Sequence, residues 1–191
     1  LMALAARSPA RLAAGLAAGQ LGWLLAGLSS HHQPSAGAAI YLLGAYAVAL
    51  AGIPRAAGAG LRAPFRASAG LGGRDPARAL ALTLGMLSLA GMPPLGGWFG
   101  EFAVAAQLAP VGHLWLFGLG LVQFLAGSIG ALRLAGLVYL SPPPEEAARV
   151  ERHPLATASA ATLAVFLLAY GVFANPVDGL ALQGAAALGL R

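Results

Sequence analysis

The chain has 191 residues, of which 59% are hydrophobic and 9% charged, and its formal net charge is +5. Soluble domains carry roughly 25% charged residues, so this composition, with its long apolar runs, indicates an integral membrane protein and excludes a soluble enzyme. The basic residues are all arginines between apolar runs, which is typical of cytoplasmic loops and not of a nucleic-acid-binding surface. Cysteine is absent and the four histidines are dispersed, so no disulfide, thiolate centre or metal site is predicted.

Several apolar stretches are long enough to cross a bilayer, which takes about 20 residues of helix. We predict an all-α membrane protein with five transmembrane helices, at residues 12–29, 36–53, 79–109, 114–140 and 155–174, in one transmembrane domain over residues 1–191. Loops at residues 55–78 and 141–154 are polar and contain arginines. The tail Pro176–Arg191 is short and only weakly amphipathic.

The third stretch is ambiguous, because a Pro-Pro/Gly segment divides it into two short halves. If it is one broken span, most arginines lie on one side of the membrane, only Arg191 lies on the other, and Arg133 is inside a span. The positive-inside rule favours this arrangement and predicts a cytoplasmic N-terminus and an external C-terminus. The arginines placed on the cytoplasmic side are Arg7, Arg11, Arg55, Arg62, Arg66, Arg74, Arg78, Arg149 and Arg152.

The interruption itself, in LSLAGMPPLGGWFGEFAVAA (residues 87–106), is a candidate functional feature. Pro93 and Pro94 lack an N–H, so carbonyl groups one turn earlier lose their helical partners. Such groups are costly in hydrocarbon, and the break must therefore face protein or a water-filled cavity. Gly91, Gly96 and Gly97 permit a non-helical turn and close approach of neighbouring helices. Transporters build ion sites near the membrane midplane from discontinuous helices of this kind.

Glu101 is the only acidic residue inside an apolar run, just after the break. Burial disfavours its charged form, whereas the start of the second half-helix favours it, so the group is suited to exchanging a proton. The alternative is an acid that only pairs with a neighbour in a kinked helix. Since ionisable residues inside membranes are usually functional, we predict that Glu101 translocates protons.

Other polar residues in the spans are weaker candidates for the same path. Arg133 either extends a polar axis or directs its charge to the membrane surface. Gln20 and Gln107, like Gln123 and Ser128, either continue a hydrated line or form hydrogen bonds between packed helices. The segment GAGLRA, residues 58–63, matches a loose dinucleotide-binding pattern, but it follows a membrane helix and lacks a βαβ unit, so no nucleotide site is predicted.

The segment RDPARALALTLGMLSLAGMPPLGGWFGEF resembles the broken twelfth helix of the antiporter-like membrane subunits of bacterial respiratory complex I (NADH:quinone oxidoreductase), of the NuoN type. HLWLFGLGLV resembles the thirteenth helix, RLAAGLAAGQLGW the tenth and AAIYLLGAYAVALAG the eleventh. The resemblance implies that the chain corresponds to the last five helices of a 14-helix fold. It also implies a proton-translocation half-channel in a multi-pass protein of the bacterial plasma membrane.

The sequence departs from the family pattern at the proposed site. The family's lysine in its G-K-F motif is replaced by Glu101, as in the neighbouring NuoM type, and its tenth-helix histidine by Gln20. The polar Y-S-S of that motif is replaced by Gly15, Leu16 and Ala17. Nothing in the chain resembles the first nine helices, so we expect either part of a longer subunit or a truncated one.

The resemblance implies that the chain itself binds no cofactor. NADH, FMN, iron–sulfur clusters and quinone are expected in partner subunits, and other membrane-arm subunits and the lipid bilayer are the expected partners. Two alternatives remain open. One is a subunit of a related cation/proton antiporter or membrane hydrogenase, and the other is a degenerate structural subunit that carries no protons.

Overall fold

The computed structural model describes residues 2–29, 33–144 and 154–187. Every regular element in these ranges is helical, so the predicted all-α class is confirmed. The α-helices are α1 (Pro9–Ser29), α2 (Gln33–Ala57), α3 (Leu71–Arg74), α4 (Pro76–Leu89), α5 (Gly96–Leu108), α6 (Trp115–Leu140), α7 (Pro154–Val172) and α8 (Ala174–Ala187). Short 3₁₀ helices occupy Gly58–Leu61, Phe65–Ser68 and Ala109–Val111.

Four helices of the described residues, α1, α2, α6 and α7, are long and apolar enough to cross a membrane. At a rise of 1.5 Å per residue, α4 and α5 reach only about 20 Å each, which is shorter than the roughly 30 Å hydrocarbon core. Together they are long enough for one crossing. Their lengths therefore favour one broken span over two complete ones.

Proline and a capping side chain define where two of these helices begin. Ser8 precedes Pro9, and its Oγ accepts a hydrogen bond from the backbone N–H of Arg11 at 3.4 Å. Asp75 precedes Pro76 in the same way, and its Oδ1 accepts from the backbone N–H of Arg78 at 3.2 Å. Proline suits the first helical position because its missing N–H would have no helical partner there, and the cap satisfies one of the remaining N–H groups.

Helix α2 lies at the centre of the molecule and packs against α1, α4, α5, α7 and α8. Helix α6 lies at the edge, against α1, α4 and α5, and leaves a row of large apolar side chains exposed. The tail, for which the sequence predicts no span, forms α8 on α2. There, Leu182 occupies the space left by the absent side chain of Gly37.

Several sequence predictions lie outside the described residues. These concern His31 and His32, the loop residues Arg149, Arg152 and His153, and the C-terminal Arg191.

Candidate functional site

Helix α4 ends in a hydrogen-bonded turn at Gly91 and Met92, immediately before Pro93 and Pro94. Gly91 adopts a left-handed conformation with φ of +75°. Its N–H donates to the Ser88 carbonyl at 3.1 Å, and the N–H of Met92 donates to the Leu87 carbonyl at 3.0 Å. This pair of bonds is the Schellman motif, in which a glycine at the left-handed position ends a helix. The following peptide bond between Pro93 and Pro94 is cis.

Helix α5 begins beyond the break at Gly96 and packs tightly on the end of α4. The backbone N–H of Gly97 donates to Ser88 Oγ at 3.3 Å. A Cβ atom at position 97 would overlap the Ser88 carbonyl oxygen, and one at Gly171 of α7 would overlap the carbonyl oxygen of Pro94. The glycines therefore allow the backbones of α5 and α7 to approach the backbone of the broken segment closely. The helix break is compact and consists of Gly91, Pro93, Pro94, Gly96 and Gly97.

Glu101 lies in the second turn of α5, as its sixth residue, and is only 7% exposed. From the sequence, it was expected at the start of this half-helix. A helix terminus acts mainly on groups within its first turn, so the N-terminus of α5 is a weaker influence on Glu101 than predicted. The carboxylate instead lies against the turn that follows α4, since a Cβ atom at Gly91 would lie 2.7 Å from Glu101 Oε2.

Gln20 of α1 connects the carboxylate to the break. Its Nε2 donates to the Leu89 carbonyl at 2.8 Å and also to Glu101 Oε1. The Leu89 carbonyl belongs to the last residue of α4, where the break removes the helical partner. Because a carbonyl can only accept, this contact also fixes which end of the Gln20 amide faces Glu101. Gln20 Oε1 is buried without a hydrogen-bond partner among the described residues.

Gln123 of α6 is the third member of the cluster. Its Nε2 donates to the same carboxylate oxygen, Glu101 Oε1, at 3.1 Å. From the sequence, Gln123 was expected either to continue a hydrated line or to form a hydrogen bond between packed helices. Gly19 of α1 makes room for it, since a Cβ atom there would lie 2.7 Å from the Gln123 amide carbon.

A cavity of about 280 Å³ adjoins the carboxylate. This volume has room for several water molecules. Its walls are largely aromatic and come from the end of α1, the middle of α5 and the first half of α6. The lining residues are Trp23, Gly91, Trp98, Glu101, Phe102, Ala105, Phe117, Gly120, Leu121 and Phe124.

The structure does not bring the other two predicted residues to this cluster. Gln107 is half-buried on α5 and does not line the cavity. Arg133 lies farther along α6, where its guanidinium carbon is 5.6 Å from the ring centroid of Phe65. No group of three or more potential metal ligands occurs in the described ranges.

The arrangement can hold a carboxyl group in either protonation state. Both glutamines donate to Oε1, and an oxygen accepts such bonds whether or not the other oxygen carries a proton. Oε2 accepts neither of these two hydrogen bonds and is therefore the oxygen available to a proton. The hydrogen bonds that position Glu101 need not break during the exchange.

The chain is similar to known membrane proteins over most of its length. Residues 1–127 match the family model described as NADH:quinone oxidoreductase/Mrp antiporter, TM. Subunit N 2 of the NADH-quinone oxidoreductase of Acidobacterium capsulatum is 35% identical over 187 residues, which are 92% of this chain and 37% of that protein. Subunit N of the Granulibacter bethesdensis enzyme is 35% identical over 182 residues, 88% of this chain and 37% of that protein.

A solved structure shows the same fold. One chain of respiratory complex I from Thermus thermophilus with bound aureothin superposes with a TM-score of 0.76 at 30% identity, over 93% of this chain and 41% of that chain. The present chain thus spans about two fifths of the length of these relatives. The resemblance carried by the Pro-Pro/Gly segment is confirmed, and the chain belongs to the NADH:quinone oxidoreductase/Mrp antiporter transmembrane family.

Proposed function

We propose that the chain forms a proton-translocation half-channel in a membrane subunit of an NADH:quinone oxidoreductase, with Glu101 as the group that binds and releases the proton. One observation carries the proposal. A buried carboxylate at a helix break receives two hydrogen bonds from neighbouring helices on one oxygen, beside a cavity large enough for water. Ionisable groups held inside a membrane in this way usually mark an ion path.

Gln20 and Gln123 position Glu101 in this mechanism. Gln20 also satisfies the Leu89 carbonyl that the break frees, so the helix break and the carboxylate are supported by the same side chain. Water in the cavity would deliver or remove the proton at Oε2. The path that we propose does not include Gln107 or Arg133, since neither lines the cavity.

The cavity also suggests a direction. It is formed by α5 and by the first half of α6, on the side of the break where these two helices are joined. With the N-terminus cytoplasmic and the C-terminus outside, that side is external. The half-channel would then connect Glu101 with the outer face of the bacterial plasma membrane.

The redox chemistry belongs elsewhere in the assembly. The partners we propose are the other membrane-arm subunits and the surrounding lipid, with NADH, FMN, iron–sulfur clusters and quinone bound by partner subunits. On this proposal the redox catalysis takes place in partner subunits, and a shift in the proton equilibrium of Glu101 would couple the chain to electron transfer. A cation/proton antiporter is the second candidate, because the matching family model covers Mrp antiporters as well.

Glu101→Gln tests the proposal. The variant keeps the size and hydrogen-bonding capacity of the side chain and removes its ionisation, and a neutral amide is easier to bury than a carboxylate. Assembly should be normal and the number of protons translocated per electron should fall. The measurement is the proton-to-electron ratio in sealed vesicles, with electron transfer followed in parallel.

Gln107→Leu on the same helix is the matched control and should leave the ratio unchanged. An unchanged ratio in an assembled Glu101→Gln complex would refute the proton path and favour a structural subunit. Proton transport without any dependence on NADH oxidation would favour the antiporter.

A further inference from the structure

We propose that a basic pocket at the C-terminal end of α6 binds the phosphate group of an anionic membrane phospholipid. The pocket has a volume of about 890 Å³ and lies apart from the cavity beside Glu101. Three arginines, Arg7, Arg66 and Arg133, line it together with the apolar side chains of Leu137 and Leu140. The inference concerns a different surface from the proton site and does not depend on the proposed function.

The three arginines come from separate parts of the chain. Arg7 precedes α1, Arg66 belongs to the 3₁₀ helix Phe65–Ser68, and Arg133 lies on α6. Each is exposed at the pocket, and none forms an ion pair with another residue of the described ranges. Positive charges gathered in one pocket repel one another, so a bound anion stabilises the arrangement.

The walls of the pocket are held in place by hydrogen bonds between these segments. The N–H of Phe65 donates to the Arg7 carbonyl at 3.0 Å, and the N–H of Gly70 donates to the Leu137 carbonyl at 3.1 Å. The buried ring of Phe65 lies against the Arg133 guanidinium, and the ring centroid is 5.6 Å from the guanidinium carbon. The backbone segments that carry Arg7, Arg66 and Arg133 are therefore held together by contacts within the chain.

The chemistry of the ligand follows from the guanidinium donors and from their position relative to the membrane. Guanidinium groups present paired N–H donors that match phosphate oxygens. Arg133 precedes the last residue of α6, Leu140, by about 10 Å along the helix axis, and its guanidinium lies beside Phe65 of the loop that follows α2. Its charge is therefore at the end of the apolar span that this loop borders. Leu140 is 86% exposed and offers a surface for an acyl chain. A phosphate that is attached to a hydrocarbon chain satisfies both requirements, as in other basic pockets between membrane helices.

The chain also contains an internal source of negative charge. Glu145 and Glu146 follow α6 in the sequence, outside the described residues. If these side chains occupied the pocket, replacing both with glutamine would create lipid binding that the wild type lacks. On our proposal, the wild type already binds the lipid, and the double replacement does not weaken that binding.

The test uses the intact membrane protein that contains this chain, stripped of lipid in a non-ionic detergent. Native mass spectrometry would measure the binding of dioctanoyl phosphatidylglycerol and of dioctanoyl phosphatidylcholine. We expect preferential binding of the anionic lipid, and about fivefold weaker binding in Arg66→Gln and in Arg133→Gln, as for the loss of one basic group near a membrane surface. Arg62→Gln is the control, because Arg62 is exposed but does not line the pocket.

Separate measurements distinguish a lipid from a soluble phosphate. Inorganic phosphate and glycerol 3-phosphate at millimolar concentration should not displace phosphatidylglycerol. Displacement by either compound would show that the pocket binds free phosphate and would overturn the lipid assignment. Equal binding of the two lipids, or equal effects of Arg62→Gln and Arg133→Gln, would overturn the pocket itself.

Discussion

The two glutamines at Glu101 are not equivalent. Gln20 is 1% exposed and donates both to Glu101 and to the Leu89 carbonyl. Gln123 is half-buried and donates only to Glu101. Loss of Gln20 therefore leaves a backbone carbonyl of the broken helix without its donor, whereas loss of Gln123 affects only the carboxylate.

Replacing each glutamine by leucine should show which one supports the stability of the protein and which one affects only proton transport. Gln20→Leu should lower the stability of the assembled protein by about 1–3 kcal/mol, because a buried acceptor becomes unsatisfied, and it should also reduce proton transport. Gln123→Leu should reduce transport with little change in stability. Thermal unfolding of the purified protein and the proton-to-electron ratio in vesicles measure the two effects.

Gln183→Leu on α8 is the matched control, since Gln183 is exposed and distant in sequence from the break. It should change neither quantity. Equal stability losses in the Gln20 and Gln123 variants would contradict the assignment of the Leu89 carbonyl to Gln20.

The sequence alone indicates how Gln107 is placed on its helix relative to Glu101. Gln107 follows Glu101 by six positions on one helix, which at about 100° per residue places the two side chains about 120° apart around the axis. It therefore faces away from the carboxylate. Gln123 could not be selected in the same way, because its contact depends on how α6 is rotated against α5 and α1, and packing alone determines that rotation.

At the scale of helices, the break is an assembly of α4, α5 and α7. The Pro-Pro/Gly pattern predicts that a helix ends near residue 91. It does not predict that Gly171, which lies 77 residues after Pro94 in the sequence, packs on the Pro94 carbonyl. Next to this contact, Tyr41 and Tyr170 join α2 to α7, because each hydroxyl donates to the other residue's carbonyl, at 2.9 and 2.8 Å.

Two glycine-to-alanine variants should shift stability in opposite directions. In Gly171→Ala, the new Cβ meets the backbone of the broken segment, including Gly96 N at 2.9 Å, and backbone cannot move aside cheaply. The melting temperature should fall. In Gly118→Ala on α6, the Cβ enters open space, and helix propensity should add about 0.5–1 kcal/mol of stability.

Thermal unfolding of the two purified variants, side by side, measures the difference. A Gly171→Ala protein as stable as Gly118→Ala would show that α7 does not pack on the break. Proton transport in Gly171→Ala should fall together with stability, since the break positions α5 and hence Glu101.

At the scale of the whole molecule, the helix order agrees with the predicted spans, but helix order alone does not give orientation. The five predicted crossings correspond to α1, α2, the broken pair α4 and α5, α6 and α7. Orientation follows from the arginines by the positive-inside rule, and two of those, Arg149 and Arg152, lie outside the described residues. A direct measurement of sidedness is therefore the test of this arrangement.

The absence of cysteine makes that measurement simple, because each introduced cysteine is the only one in the chain. Gly73, before α4, and Pro142, after α6, are exposed, and cysteines there should react with a membrane-impermeant maleimide only from the cytoplasmic side. A cysteine at exposed His113, between α5 and α6, should react only from outside. Ser68 is unsuitable as a probe, since it is 5% exposed.

If α4 and α5 crossed the membrane separately, His113 and Gly73 would be labelled from the same side and Pro142 from the other. That result would refute the prediction of a single broken span and would also place the cavity beside Glu101 in the opposite half of the membrane.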